Sequence, residues 1–282
     1  EVGKNWDRKY MKGGKYVVQA NLQLPDSPFC PGYSYQNCGG DATYIILPED
    51  VMKQDCLLPY KGETYFEGSL IEPLSCVIGA FNANYHLIEG TYDHKMGIKE
   101  GGNLLILGGT GPMGLLAIDY ALHGDKKQKT IVVTDVNKDR LKKASELYKS
   151  EEGITVHYVD TSNIENSEEY LRNLVNGGFD DIFIFAPVAE LVTQGSKLLN
   201  NDGCLNFFAG PQNKDFSAEI NFYDIHYSFT HYVGTAGGNT EDMRTAIRLI
   251  EEKKVNVAKV VTHILGLDSV VETTLNQPEI AG

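Results

Sequence analysis

Gly109-Thr110-Gly111-Pro112-Met113-Gly114 decides the fold, because the residues on both sides of it are the right ones. Upstream lies an apolar run, Leu104-Leu105-Ile106-Leu107, of the length and composition of a buried strand. Downstream, Met113, Leu116, Ala117, Tyr120 and Ala121 recur at helical spacing, and Gly124 closes the pattern as a C-terminal glycine should. A second apolar run, Ile131-Val132-Val133-Thr134, ends on Asp135, about twenty residues beyond the last glycine. Strand, glycine turn, helix, strand and acid in that order make a dinucleotide-binding fingerprint. Gly109 permits the tight turn, Gly111 lets the backbone approach a pyrophosphate, and Gly114 lets the helix pack closely on the strand. The helix start offers N–H groups and partial positive charge to phosphates. Asp135 would accept hydrogen bonds from adenosine ribose hydroxyls and repel a 2′-phosphate, favouring NAD over NADP, while the nearby Lys138 and Arg140 soften that preference. The candidate cofactor-binding residues here are Gly109, Thr110, Gly111, Pro112, Met113, Gly114, Asp135 and Arg140.

Outward from this motif the texture from Gly101 onward is strand–helix alternation. Further apolar runs lie at Ile154–Val159, Ile182–Phe185, Leu205–Phe208 and Tyr232-Val233, with helical patterns at Lys138–Lys149, Ser167–Asn176 and Ala189–Asn200. The runs are nearly continuous, as in strands buried on both faces. They predict an α/β fold with a doubly wound sheet of six parallel strands, the Rossmann arrangement. A helix opened by Pro73 and running to about His86 precedes this region, burying Leu74, Val77, Ile78 and Phe81. Residues 1–59 read as short strands broken by turns, the clearest being Tyr16–Ala20 and Ala42–Leu47, separated by a Pro-, Gly- and Asn-rich loop from Pro25 to Gly40. They are too few to close a barrel. A last helix, Glu241–Lys254, leads to Val260–Leu265, read as a strand rejoining the first part. The sequence divides accordingly into residues 1–72, 73–236 and 237–282.

Composition narrows the function classes. The net charge of −13 over 282 residues argues against nucleic acid or an anionic membrane as partner, since both demand a basic face. No apolar run has the length of a membrane span, and none resembles a signal peptide. The five cysteines, Cys30, Cys38, Cys56, Cys76 and Cys204, are scattered and form no CxxC pair, which fits reduced thiols in a cytoplasmic protein. The chain opens on Glu1 rather than methionine and is expected to be a segment of a longer polypeptide.

The order of β segment, linking helix, Rossmann domain and returning tail resembles the medium-chain, zinc-type alcohol dehydrogenases. Gly39-Gly40-Asp41-Ala42-Thr43-Tyr44 resembles that family's strand entry, and Glu67-Gly68-Ser69-Leu70-Ile71-Glu72-Pro73-Leu74-Ser75 the helix start of its sorbitol-dehydrogenase branch. Gly109–Gly114 with Thr134-Asp135-Val136-Asn137 and Arg140-Leu141 matches the same branch. Pro28–Tyr35, Gly68–Tyr85 and Gly108–Gly124 are similar to its L-sorbose-1-phosphate reductases, which interconvert L-sorbose 1-phosphate and D-glucitol 6-phosphate. The resemblance implies a partial, N-terminally truncated GroES-like β domain beside the Rossmann domain. It implies hydride transfer between NAD(H), with NADP possible, and a polyol or sugar-phosphate substrate, in a homodimer or homotetramer.

A single zinc acts as Lewis acid in that family. Of its usual ligands, the resemblance carries over only Glu72, as catalytic and metal-binding residue, with Glu67 as a weaker neighbour. The cysteine and the histidine–glutamate pair are expected to precede Glu1. His86, His94, His226, His231 and His263 show no ligand spacing, and Cys76 reads as core. Cys30 and Cys38 cannot close a four-cysteine structural zinc site, so none is expected, with Pro25, Pro28 and Pro31 stiffening the loop instead. Phe208, Ala209 and Gly210, and Thr235 and Ala236, are implied to contact the nicotinamide end. Gly237 stands where the branch commonly has arginine. Two further readings remain open: a zinc-free reductase of quinone-reductase type, against which Glu72-Pro73-Leu74 argues, and a non-catalytic dinucleotide-binding protein.

Overall fold

The computed structural model describes residues 1–20, 30–31 and 33–280, and the chain divides into two compact units. The first is built from residues up to Ser75, from Gly238–Lys253 and from Val257 onward; the second from Cys76–Gly237 with Lys254–Asn256.

In the first unit, β1 (Tyr16–Val18) pairs antiparallel with a strand that follows a short helix, α1 (Glu49–Lys53); that strand is β2 (Leu57–Pro59), with Val17 opposite Leu58. α2 (Tyr65–Ser69) comes next, and α3 (Ile71–Ala83) starts in this unit and continues into the second. Two expectations fail here. Ala42–Leu47 is irregular rather than a strand: Tyr44 and Ile46 are 93% and 66% exposed, and no described strand lies alongside to take up the backbone groups. The stretch read as wholly β also contains α1, whose Glu49 and Asp50 in the first turn and Lys53 in the last suit the helix dipole, while Val51 and Met52 are buried. The loop residues Pro25, Pro28, Phe29 and Gly32 lie outside the described residues.

The second unit opens with an antiparallel pair, β3 (Tyr85–Leu87) and β4 (His94–Met96). Then come β5 (Asn103–Leu107), α4 (Pro112–His123), β6 (Thr130–Asp135), α5 (Lys138–Leu147), β7 (Thr155–Asp160), α6 (Ser167–Val175) and β8 (Phe179–Ile184). The unit continues through α7 (Ala189–Leu198), β9 (Leu199–Phe207), α8 (Phe222–Tyr227) and β10 (His231–Gly234). β5 to β10 form one parallel six-stranded sheet in the order β10-β9-β8-β5-β6-β7. Counted along the chain this is 6-5-4-1-2-3, the doubly wound Rossmann order, whose winding reverses between β5 and β8. The six predicted strands are all present, displaced only at their ends.

Burial on both faces explains their composition. Leu105, Leu107, Val132, Ile182, Ile184 and Leu205 form one continuous core with Leu171 and Leu198 from the helices α6 and α7. On another side, Phe81 of α3 stacks on Phe183 of β8 at 4.4 Å and meets Tyr120 of α4 edge-on at 5.1 Å. The tail does not behave as read. After α9 (Thr240–Glu251), residues 261–266 have no regular structure, and Ile264 and Leu265 are exposed, so the expected strand at Val260–Leu265 is absent. A short α10 (Val270–Asn276) follows. No described helix is long and apolar enough to cross a membrane.

Candidate cofactor and active site

The glycine turn follows β5 at the switch point. Its left-handed residue is Gly108, at φ +67°, rather than Gly109. Gly109 is needed for space: its N–H donates to Thr134 O at 3.0 Å, and a Cβ there would stand 2.5 Å from Ile106 Cγ2. Gly114 lies one turn into α4, where a Cβ would fall 2.3 Å from Gly109 O, so helix and turn touch backbone to backbone. Gly111 is the opposite case. It caps α4 ahead of Pro112, and a Cβ built on it meets no atom within 4 Å. Open space therefore lies directly before the first, intrahelically unpaired N–H groups of α4, Met113 and Gly114 among them. That cradle fits a dinucleotide pyrophosphate.

Asp135 ends β6 beside this turn. Its Oδ2 accepts from the Thr110 hydroxyl and, at 3.3 Å, from Thr110 N–H; its Oδ1 accepts from Val136 N–H and Asn137 N–H at 2.8 and 3.0 Å. The acid and the turn are thus tied together by the protein itself. Arg140 is exposed in the first turn of α5, where its N–H donates to the capping Asn137. At the carboxyl ends of the neighbouring strands, Phe208 and Ala209 both donate N–H to Ile184 O, at 3.1 and 3.0 Å, and Gly210 faces open space. Thr235, just past β10, donates its hydroxyl to Asn206 Oδ1 at 3.1 Å, and Ala236 beside it is exposed. All these residues belong to the second unit.

Glu72 belongs to the first unit. It is half-buried in the first turn of α3, and its carbonyl accepts from Ser75 Oγ at 2.7 Å. The carboxylate of Glu67 accepts from the hydroxyl of Thr64, the residue that caps α2. No group of three or more His, Cys, Asp or Glu side chains able to hold a metal is found among the described residues. The described residues therefore do not by themselves fit a catalytic zinc. All five cysteines are free thiols, and burial pushes that of Cys204 up to about 12 and that of Cys56 to about 11.

One cluster escaped sequence reasoning. Asp181, at 0% exposure in β8, accepts from Asn84 Nδ2 at 2.6 Å and Lys99 N–H at 2.9 Å, and His86 Nε2 lies 3.2 Å away. The other side of His86 faces Asp202, whose Oδ1 is also 2.9 Å from His231 Nε2. Burial pulls the His86 imidazolium down, but Asp181 and then Asp202 outweigh it, leaving its pKa raised; His231 is lowered, chiefly by burial. His94 meets the same group edge-on, its ring 5.3 Å from that of His231. These residues are far apart in sequence and share no spacing, so only the hairpin of β3 and β4 beside β9 brings them together.

Comparison with known proteins agrees with the fold. The zinc-binding dehydrogenase family profile matches residues 112–252. The chain is 62% identical over its whole length to an L-sorbose 1-phosphate reductase of Klebsiella pneumoniae, covering 68% of that protein. It is 45% identical, again over its whole length and 68% of the relative, to a mannitol-1-phosphate 5-dehydrogenase of Aliivibrio fischeri. In three dimensions it matches a Sinorhizobium meliloti 1021 protein described as a zinc-binding dehydrogenase and solved with NADP bound, at a TM-score of 0.74 and 22% identity, over 94% of this chain and 74% of that one. On this evidence the chain belongs to the zinc-binding dehydrogenase family.

Proposed function

We propose that the chain acts in a nicotinamide-dependent dehydrogenase of polyol and ketose phosphates, using NAD(H) and interconverting L-sorbose 1-phosphate and D-glucitol 6-phosphate. The observation that carries the cofactor reading is the open glycine cradle at the switch point with Asp135 tied to its rim. The substrate class follows from the sorbose-phosphate and mannitol-phosphate enzymes among its relatives.

In this reading residues 73–236 bind the cofactor, and residues 1–72 and 237–282 shape the substrate side. N–H groups at the start of α4 receive the pyrophosphate. Asp135 takes the adenosine ribose hydroxyls, exchanging bonds it now makes to Thr110. Phe208, Ala209, Gly210, Thr235 and Ala236 line the nicotinamide half, and Arg140 lies at the adenosine edge. When bound, the nicotinamide supplies or accepts the hydride at the carbinol carbon. Glu72 is the candidate acidic residue on the substrate side and the one metal-ligand candidate carried over from the family motif.

The test is a panel of ketose phosphates and free polyols assayed on the full-length protein with NADH, NADPH and their oxidised forms. Reduction of L-sorbose 1-phosphate by NADH is the expected outcome. Its failure alongside rapid turnover of an unphosphorylated polyol rejects the phosphate assignment.

A further inference from the structure

We infer that Asn206 is a positioning residue for the nicotinamide half of the cofactor site and that it acts through Thr235. The inference rests on the cofactor reading above, because that reading puts Thr235 at the nicotinamide.

Asn206 is anomalous where it stands. It is the last residue but one of β9, opposite Phe183 on one neighbouring strand and Val233 on the other, and it is 0% exposed. An amide there costs free energy unless each of its polar atoms is bonded, and an aliphatic residue such as the adjacent Leu205 would satisfy the sheet without that cost. Every polar atom of Asn206 is in fact used. Both protons of Nδ2 are spent, one on Ala80 O and one on Asn84 Oδ1, each at 3.1 Å. That leaves Oδ1 facing the other way, where it accepts from the Thr235 hydroxyl at 3.1 Å. The two anchors fix the orientation of the amide, since a flip would point Nδ2 protons at a hydroxyl and leave Ala80 O and Asn84 Oδ1 facing an oxygen.

The anchor has its own support. Asn84 donates to Asp181, which also accepts the Lys99 N–H and lies against His86. A continuous chain of side chains therefore runs from Asp181, in the amino-terminal half of β8, through the buried Asn84 and Asn206 to Thr235, one residue past β10. Its last link reaches a residue beyond the end of the sheet, where no ladder bond fixes the backbone. Thr235 and Ala236 are thereby held in one setting before a ligand arrives, which lowers the ordering cost of binding at that end.

Two ligands separate the halves of the site: NADH, and ADP-ribose, which lacks nicotinamide. Binding is measured on the full-length protein by calorimetry. Thr235→Val removes the hydroxyl and leaves the sheet intact; it is expected to weaken NADH by about three- to tenfold, the range of one neutral hydrogen bond, with ADP-ribose unchanged. Asn206→Ala should do the same, the double variant should be no weaker than either single one, and Thr235→Ser should restore the original affinity. Equal weakening of both ligands, or no weakening of NADH in Thr235→Val, overturns the inference while leaving the cofactor reading standing. Failure of the unaltered protein to bind either ligand overturns that reading, and the inference with it.

Discussion

A single methyl group at Gly114 measures how tightly the cofactor turn is built. The Cβ of Gly114→Ala would press on Gly109 O and C, both backbone atoms that cannot swing away. The variant is expected to lose about 1–3 kcal/mol of stability, as overpacked positions do, and to lose NADH binding, measured by urea unfolding and fluorescence titration. Asp135→Ala tests the other end of the cradle: the Michaelis constant for NADH should rise and NADPH should be used better, and an unchanged preference would remove Asp135 from its role. His86 makes a prediction in pH. Its native pKa is raised, so its contribution to folding is complete below its ordinary value near 6.5 and is lost as pH rises through the native value. The gap in urea midpoint between the protein and His86→Gln should therefore be wider at pH 5.5 than at pH 8.5. The glycines and Asp135 were legible because their spacing alone carries chemistry. Gly108 was not, since nothing in the letters distinguishes it from Gly109 as the left-handed residue. The same holds for Gly237, whose φ of +132° is one that an arginine would adopt only with strain.

At the scale of elements, the sheet was readable because its strands are buried on both faces and so appear as unbroken apolar runs. Ala42–Leu47 has the same apolar, β-branched character, yet a strand also needs a neighbour, and composition does not reveal whether one is present. β3 and β4 failed to register for the opposite reason: three residues each, they are too short to show a period, although they place His86 and His94. α9 shows what a legible boundary is worth. Asn239 accepts from the N–H groups of Glu241 and Asp242, and Asp242 Oδ2 accepts the Asn239 N–H in return. Asn239→Ala should destabilise the protein by about 1 kcal/mol, read as a lower urea midpoint with cofactor affinity unchanged.

For the molecule as a whole, the two units divide the proposed chemistry. Every proposed cofactor residue falls in the second, whereas Glu72 falls in the first. Nucleotide binding and metal binding should therefore be separable. Chelation of the full-length protein, followed by metal analysis and NADH titration, is expected to leave the NADH dissociation constant unchanged even where metal is removed. A parallel loss of NADH affinity would show that the two depend on one another. The acidic balance of the chain bears on the proposed substrate, because an anionic sugar phosphate would have to be drawn against a net charge of −13 and so would need a local concentration of basic groups.

The two bonds from Thr110 to Asp135 have a kinetic meaning. A pocket already stitched shut along one seam does not have to assemble itself around an arriving nucleotide; the incoming ribose trades one hydroxyl partner for another. Under the proposed cofactor reading, association should thus proceed without a slow isomerisation phase, and the threonine would help set how readily one redox carrier is exchanged for the next.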